Sequence, residues 1–215
     1  MNKKKTEPLY SGASPEEIAT ELKPLLEFQE EGMPLDKLTD LIEKNLIPHL
    51  VRYDRPEFHS LYNSFPEEGA ELGARIALQY NQGVTNWLVS PGGVMLEESC
   101  TKVLCRLFDL SNQADATFMY CGTYANQQAL YMALHRKAGQ DGFDLNKDGL
   151  TGFSRPHKLT VIASEDAHFS IKHAVRIMGL GDQALIRMPV NEKRQLDIDQ
   201  LVKYINEKKL DKDIF

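Results

Sequence analysis

The sequence predicts an α/β fold in which helices precede a parallel sheet, and three observations support this prediction. From Ala116 onward, apolar runs of strand length alternate with segments of helical periodicity. Such alternation is typical of parallel strands joined by crossover helices. Before Ala116 the periodicity is mostly helical, and no internal repeat is visible. A chain of 215 residues with 42% hydrophobic content is also long enough to bury a core.

The N-terminal region is predicted to begin with two amphipathic helices. Ser14, Pro15 and Glu17 supply an N-cap, a first-turn proline and a capping-box glutamate, so a helix is expected to begin there. A second helix, ending before Pro48, is indicated by apolar residues at helical spacing: Leu35, Leu38, Leu41, Ile42 and Leu46.

An irregular, aromatic-rich connector is expected to follow these helices. Residues 51–66 mix Pro, Phe, Tyr and His without a period, whereas residues 69–80 again favour a helix. We assign residues 1–90 to a helical segment with its connector, and residues 91–215 to the first part of a larger domain.

The second region is expected to contain three strands and four helices. Ser90-Pro91-Gly92-Gly93 is a turn that opens a helix over residues 94–110. Strands are predicted at ATFMYC (116–121), LTVIA (159–163) and ALIRMPV (184–190), and the other helices at residues 126–137, 169–178 and 197–209.

Charge and hydropathy argue against two classes of partner, nucleic acid and membrane. The chain carries 31 acidic and 25 basic residues, which give a formal net charge of -6. Its only basic run is Lys3–Lys5, so we expect no binding to nucleic acid. No apolar stretch approaches the roughly 18 residues of a membrane span, and the N-terminus lacks the apolar segment of a signal peptide.

The three cysteines indicate a reducing compartment. Cys100, Cys105 and Cys121 are odd in number and lack paired C-x-x-C spacing, which argues against a disulfide framework and against a zinc site. We therefore interpret them as reduced, mostly buried thiols of a cytoplasmic protein.

One segment matches the first half of a calcium loop, Asp144–Gly149. The twelfth position of that loop is Arg155, where a bidentate glutamate is required. We interpret the segment as a solvated turn, with adventitious calcium as the alternative. The histidines and adjacent carboxylates have no ligand-like spacing, so we expect no metal site.

His168 is the first candidate for a functional residue. It lies where the strand predicted at residues 159–163 passes into the next helix, within SEDAHFSIKHAVRIMGLG (164–181). Open α/β sheets bind ligands at the carboxyl ends of their strands, and an imidazole there can stack on a bound molecule or form a hydrogen bond with it. The alternative is a helix-capping loop with an ordinary histidine.

A second candidate site lies at the end of the preceding predicted strand. There the sequence CGTYAN (121–126) passes from strand to helix, and Gly122 allows a close approach to the backbone. The first N–H groups of the helix, together with the Thr123 hydroxyl, are suited to an anion such as phosphate. A simple helix cap is the alternative, although a second feature at the next strand end, His168, favours a ligand.

Four segments, taken together and in order, resemble the group II pyridoxal-phosphate-dependent amino-acid decarboxylases. This family includes the glutamate, aromatic-amino-acid, cysteine-sulfinate and 2,4-diaminobutyrate decarboxylases. The segments are RPEFHS, NWLVSPGGVMLEE, CGTYANQQAL and SEDAHFSIKHAVRIMGLG, and they span nearly everything after the first helix.

The resemblance implies a fold-type I, aspartate-aminotransferase-like architecture that binds pyridoxal phosphate in a crevice, usually at the interface of a homodimer. His168 matches the histidine that stacks on the pyridine ring, so it is the catalytic residue that we expect. Thr123, Tyr124 and Ala125 match the loop that holds the cofactor phosphate. Many family members carry serine at the position of Ala125, so one side-chain hydroxyl is missing here.

The resemblance also implies a substrate pocket around the turn that follows Trp87. The residues that match this loop are Trp87, Ser90, Pro91 and Gly92. The Gly92-Gly93 pair differs from the bulkier residues that are common in the family, so the size of the substrate cannot be carried over.

Two groups that the family requires are not found in this sequence. They are the aspartate that pairs with the pyridine nitrogen and the lysine that binds the cofactor covalently, and the chain ends at Phe215 before either. Lys172 lies one helical turn after His168 and is not expected to replace that lysine. The sequence therefore resembles an N-terminal half, as a truncated product, a proteolytic fragment or one piece of a split enzyme.

The function implied by the resemblance is decarboxylation of an L-amino acid to an amine and carbon dioxide, by a longer or complemented form. The chain alone is expected to be inactive. The alternatives are another fold-type I enzyme, such as an aminotransferase or a lyase, because one fold hosts many chemistries, and a non-catalytic remnant that binds a partner chain.

Overall fold

The computed structural model describes residues 8–27, 30–59 and 66–210, with the side chains of the last helix described as far as Lys208. Contacts between residues divide the chain into two units, Met1–Gln82 and Gly83–Phe215.

The first unit begins with the predicted capping box. Helix α1 spans Pro15–Leu26. The Ser14 hydroxyl accepts a hydrogen bond from the Glu17 backbone N–H (3.2 Å), and the Glu17 carboxylate accepts one from the Ser14 backbone N–H (2.8 Å). This backbone hydrogen bond from Ser14 lowers the pKa of Glu17. The local sequence signal for a helix start is therefore confirmed.

The other helices of the first unit also agree with the periodicity. Helix α2 spans Leu35–Asn45 and is followed by a 3-10 turn at Ile47–His49, and helix α3 spans Glu68–Tyr80. Between them, residues 51–59 form turns without helix or strand. The rest of the predicted connector, residues 60–65, lies outside the described residues.

The second unit contains five α-helices and one parallel strand pair within its described residues. The three helices predicted after residue 116 are all present, and the two later strands form where they were predicted. In chain order the elements are α4 (Pro91–Leu107), α5 (Gly122–Gln140), α6 (Leu145–Asp148), β1 (Val161–Ser164), α7 (Phe169–Ile177), β2 (Leu185–Met188) and α8 (Ile198–Leu210).

Strands β1 and β2 pair in parallel, from Val161 opposite Leu185 to Ser164 opposite Met188. The intervening α7 is the crossover helix, as the alternating pattern predicted. Its inner face is fully buried at Ala174 and Val175, and it packs against α5. The βαβ unit therefore brings the carboxyl end of β1, the start of α7 and the first half of α5 into one region.

The predicted strand ATFMYC (116–121) is wrong within the described part of the chain. No described segment forms a strand ladder with it, and its Phe118 and Tyr120 side chains are 57% and 93% exposed. The strand propensity of these residues is real, but a strand also requires a hydrogen-bonded neighbour. Within the described residues the only strand ladder joins β1 and β2, with one isolated bridge between Val190 and Leu196.

Two helix starts also lie earlier than predicted. Helix α4 begins at Pro91 and not at residue 94, because proline fits the first helical position, where no N–H is needed. Helix α5 begins at Gly122 and not at residue 126, so the proposed anion-binding residues form its first turn. Within the described ranges, none of the helices has the length and apolar character needed to cross a membrane.

Candidate functional site

His168 is the N-cap residue of α7. Its Nδ1 accepts a hydrogen bond from the backbone N–H of Ser170 at 3.2 Å. Because a backbone N–H can only donate, Nδ1 has to be the acceptor, and the ring proton of the neutral imidazole belongs on Nε2. The structural alternative for His168, a helix cap, is therefore confirmed. It uses only one ring nitrogen.

The loop that leads to His168 is held by the segment of β2. The backbone N–H of Glu165 donates to the Met188 carbonyl (2.8 Å), and the Arg187 guanidinium donates to the Glu165 carbonyl (2.8 Å). The Glu165 carboxylate in turn accepts from the Val190 N–H (3.1 Å). These three bonds fix the backbone immediately before His168, so the imidazole projects from a well-anchored loop.

The start of α5 is open where the start of α7 is capped. Its N-cap residue, Cys121, has extended backbone angles (φ -155, ψ 169) and makes no side-chain capping bond. A Cβ atom added at Gly122 would meet nothing within 4 Å, so there is space in front of the first turn. Thr123 is half-buried, whereas Tyr124 and Ala125 are exposed. This arrangement can receive an anion on backbone N–H groups.

A buried hydroxyl connects the two helix starts. The Asn126 Nδ2 atom donates to Ser170 Oγ at 2.8 Å, and Ser170 Oγ lies 2.9 Å from His168 Nδ1. The Ser170 residue is 0% exposed. The structure thus brings His168 and the first two turns of α5 into one hydrogen-bond network.

Sequence reasoning missed both Asn126 and Ser170. A serine two residues after an N-cap and an asparagine in the second turn of a helix are ordinary residues there. The two are separated by 44 positions, and no local pattern connects residues at that separation.

The predicted substrate loop combines exposed and buried residues. The Trp87 side chain is 56% exposed, whereas Ser90 is only 1% exposed. A Cβ at Gly92 would meet nothing within 4 Å, but a Cβ at Gly93 would collide with Ser90 Oγ and lie 2.9 Å from Val84 Cγ2. The absence of a side chain at residue 93 therefore has a packing reason. In the described part of the chain, no hydrogen bond or ring contact joins Trp87 or Gly92 to His168.

Lys172 is engaged on another part of α7. Its Nζ lies 3.3 Å from a carboxylate oxygen of Asp182. The same carboxylate accepts two hydrogen bonds from Arg176, at 2.5 and 2.6 Å, and these bonds lower the pKa of Asp182 to about 2. The ammonium of Lys172 therefore belongs to an exposed ion-pair cluster.

Among the described residues, no three His, Cys, Asp or Glu side chains are grouped so that they could hold a metal ion. The Asp144 carboxylate instead caps the short helix α6 by accepting from the Asn146 N–H (3.0 Å). The three cysteines are free thiols, but the prediction that they are mostly buried is wrong, because only Cys105 is buried and Cys100 and Cys121 are exposed.

Comparison with protein families identifies the chain over almost its whole length. Residues 15–215 match the pyridoxal-dependent decarboxylase conserved domain. The chain is 24% identical to L-2,4-diaminobutyrate decarboxylase of Acinetobacter baumannii over 206 residues, which cover 92% of the chain and 39% of that relative. It is 26% identical to acidic amino acid decarboxylase GADL1 of Xenopus tropicalis over 193 residues, covering 88% and 36%. The chain therefore spans less than half the length of these relatives.

Solved structures share the fold. The glutamate decarboxylase domain of diaminobutyrate-pyruvate transaminase and L-2,4-diaminobutyrate decarboxylase from Vibrio parahaemolyticus has a TM-score of 0.82 at 23% identity, covering 96% of this chain and 45% of that structure. Oryza sativa TDC with PLP and tryptamine has a TM-score of 0.79 at 18% identity, covering 94% and 41%.

These similarities confirm the fold-type I architecture that the resemblance implied. Pyridoxal phosphate, the cofactor implied by the same resemblance, is the cofactor of the matching family. Since the family match covers far more than half of the sequence, the chain belongs to the pyridoxal-dependent decarboxylase family.

Proposed function

We propose that this chain supplies one part of a pyridoxal-phosphate-dependent enzyme that decarboxylates an L-amino acid to an amine and carbon dioxide. The observation that carries the proposal is the network of Asn126, Ser170 and His168. It keeps an open helix start and an exposed imidazole in the same region, which are the two features that a phosphorylated aromatic cofactor requires. Decarboxylation, as opposed to another fold-type I reaction, is supported by the family match.

The residues at the start of α5 suit the cofactor phosphate. In this proposal the backbone N–H groups of Thr123, Tyr124 and Ala125, with the Thr123 hydroxyl, bind the phosphate oxygens. The helix start is favourable to negative charge because its N–H groups point outward and the helix dipole adds a partial positive charge. The absence of a side-chain cap on Cys121 supports this assignment.

His168 is proposed to orient the cofactor ring. One face of its imidazole packs against Phe169, with ring centroids 4.1 Å apart and an angle of 36° between the planes. The opposite face is the surface that we assign to the pyridine ring. When bound, pyridoxal phosphate supplies an electron sink for the electron pair left by the departing carbon dioxide. His168 contributes orientation, because its ring is held by the α7 cap.

The substrate side of the site is assigned to the loop that precedes α4. We propose that Trp87, Ser90, Pro91 and Gly92 line a pocket for an L-amino acid, since the exposed indole offers an apolar wall and Gly92 leaves room beside it. We further propose that the assembled enzyme is a cytoplasmic homodimer. The free thiols support a reducing compartment.

The chain alone is proposed to be inactive, as a half of the enzyme that needs a complementing half. Two observations support this. The ion pair with Asp182 occupies Lys172, and large apolar side chains remain open to solvent, including Leu88 at 90% and Tyr120 at 93% exposure. Exposed apolar surface of this kind is suited to burial against further protein.

Cofactor binding and catalysis can be tested separately on the purified chain. We expect saturable binding of pyridoxal phosphate, measured from its absorption and fluorescence, and a roughly tenfold weaker affinity for Thr123→Ala, because a hydrogen bond to a charged group is lost. Thr39→Ala removes a threonine hydroxyl in α2 and is the matched control. Unsaturable binding, or equal binding by both variants, would argue against the proposed phosphate site.

Borohydride reduction followed by intact mass measurement tests the proposal that no lysine of this chain binds the cofactor covalently. We expect no adduct at a single lysine and no release of carbon dioxide from any amino acid. A specific adduct with turnover would show that another lysine acts in this chain. With a complementing chain added, an amine product would support decarboxylation and a keto acid would support a transaminase or lyase. The absence of any product would support the alternative that the chain is a non-catalytic remnant that binds a partner chain.

A further inference from the structure

Three hydrogen bonds around Ser170 have directions that can be assigned from chemistry alone. The Ser170 backbone N–H donates to His168 Nδ1 at 3.2 Å. Since Nδ1 is an acceptor, the Ser170 hydroxyl, 2.9 Å away, uses its single proton to donate to the same nitrogen. The hydroxyl oxygen is then left as an acceptor, and the Asn126 amide donates to it at 2.8 Å. Donation therefore runs from α5 through Ser170 to the imidazole.

The Ser170 hydroxyl, which lies between Asn126 and His168, is shielded from water, the usual substitute for a protein partner. The Ser170 side chain is 0% exposed, and Asn126 is half-buried in the interface where α5 packs against α7. A buried hydroxyl requires one partner for its proton and another for its oxygen. Among the described residues, the Asn126 amide is the partner of the oxygen. If Asn126 accepted a hydrogen bond instead of donating one, the Ser170 proton would turn toward residue 126 and away from His168.

We propose that Asn126 is a positioning residue that acts through Ser170 to hold His168 in its Nε2–H tautomer and to fix the plane of the imidazole ring. The significance of this ring plane for the cofactor rests on the proposed function. The tautomer itself is a property of the chain that can be measured without any cofactor. An interhelical bond with only a structural role would join α5 to α7 but would leave the tautomer unchanged.

The decisive variant is Asn126→Asp, which keeps the shape of the side chain and replaces its donor by an acceptor. The matched control is Gln128→Glu, which makes the same chemical change two residues away on α5. Among the described residues, no hydrogen bond joins Gln128 to Ser170 or His168. Both variants add one negative charge to α5, but residues 126 and 128 point to different faces of the helix, so Gln128→Glu controls for the change in net charge. Ser170→Ala adds no charge and separates the loss of the hydrogen bond from the effect of a charge beside His168.

The measurement is long-range proton–nitrogen NMR of the chain labelled with ¹⁵N in its six histidines, which separates the two tautomers by the shifts of the ring nitrogens. His168→Asn assigns the His168 signal by its loss. We expect the wild type and Gln128→Glu to show the Nε2–H tautomer of His168. Asn126→Asp should shift the tautomer ratio by at least about fivefold toward Nδ1–H, the change expected from one hydrogen bond.

A second variant keeps the test decisive if Asn126→Asp does not fold. Ser170→Ala removes the hydroxyl and leaves only the backbone donor to Nδ1, so the ratio should shift in the same direction. An unchanged ratio in either folded variant, or an equal shift in Gln128→Glu, would overturn the proposal. Titration of each variant with pyridoxal phosphate is recorded in parallel. If the wild type fails to bind it, the proposed function fails, while the tautomer ratio still decides the role of Asn126.

Discussion

The starts of α5 and α7 both present backbone N–H groups and use them differently. In α7 the first turn is closed by His168, whose Nδ1 accepts a backbone N–H. In α5 the corresponding residue, Cys121, makes no side-chain capping bond. The N–H groups at a helix start need an acceptor from somewhere. The protein provides one for α7, and the start of α5 remains suited to an external anion.

This difference is also compatible with the role proposed for His168, which would combine the cap of α7 with a contact to the cofactor. Capping α7 uses Nδ1, and within the described part of the chain Nε2 has no hydrogen-bond partner and the ring contacts one aromatic neighbour, Phe169. A carboxylate or hydroxyl cap would stabilise the helix equally well but would offer no flat surface to an aromatic ligand. The choice of histidine at this N-cap is therefore informative, whereas the choice of serine at the α1 cap is not.

The largest expected effect comes from giving α5 a cap like that of α7. Cys121→Asp places a carboxylate at the N-cap, where it accepts from the N–H groups of the first turn. We expect the affinity for pyridoxal phosphate to fall roughly a hundredfold, because two anions about 4 Å apart repel each other by several kcal/mol. The free energy of unfolding should rise by about 1 kcal/mol. Cofactor titration and urea unfolding measure the two changes.

Cys121→Ser is the control for the carboxylate, since a hydroxyl caps the helix without charge. It should raise the unfolding free energy similarly and weaken cofactor binding much less. If Cys121→Asp binds pyridoxal phosphate as the wild type does, the anion does not lie at the start of α5, and the comparison between the two helices loses its functional meaning.

A smaller effect is expected from opening the cap of α7. His168→Ala removes the acceptor for the Ser170 N–H and should lower the free energy of unfolding by about 1 kcal/mol. His168→Asn retains a good N-cap side chain and should remain close to the wild type. Both variants lose the imidazole, so both should bind pyridoxal phosphate more weakly. Equal stability of the two variants in urea unfolding would contradict the capping role of residue 168.

The parts of the fold that the sequence predicts well are those with local causes. The capping box of Ser14 and Glu17 needs only four consecutive residues, and it forms as predicted. The segment ATFMYC (116–121) has equally clear strand composition, yet no strand forms there in the described chain. Strand formation depends on a neighbour that is distant in sequence, and composition carries no information about whether that neighbour is present.

The same distinction applies to the candidate site. His168 and the CGTYAN segment were selected from local strand-to-helix transitions, and the structure brings both to the α5–α7 interface, although their roles toward the cofactor remain predictions. The sequence assigns no role to Ser170, nor to Asn126 at the end of the CGTYAN segment, because their significance arises only from a contact across 44 positions. The packing reason for Gly93 was missed for a similar cause, since it depends on how Ser90 and Val84 meet in space.

The smallest expected effect concerns the far end of α7, where Asp182 binds Arg176 and Lys172. The pKa of Asp182 is lowered to about 2 by the hydrogen bonds from Arg176, so its contribution to stability is complete above an ordinary carboxyl pKa and is lost as the pH falls toward 2. Asp182→Asn should therefore be less stable than the wild type at pH 6, and the gap should close between about pH 4 and pH 2. Urea unfolding of both proteins along this pH range measures the gap.

Asp40→Asn is the control, at an exposed carboxylate with no ion pair among the described residues, and the difference in its stability from the wild type should not close over this pH range. The ion pair is exposed and screened by solvent, so we expect only a small difference in the free energy of unfolding. A difference larger than that caused by His168→Ala would mean that α7 is held mainly by its ion pairs and not by its histidine cap.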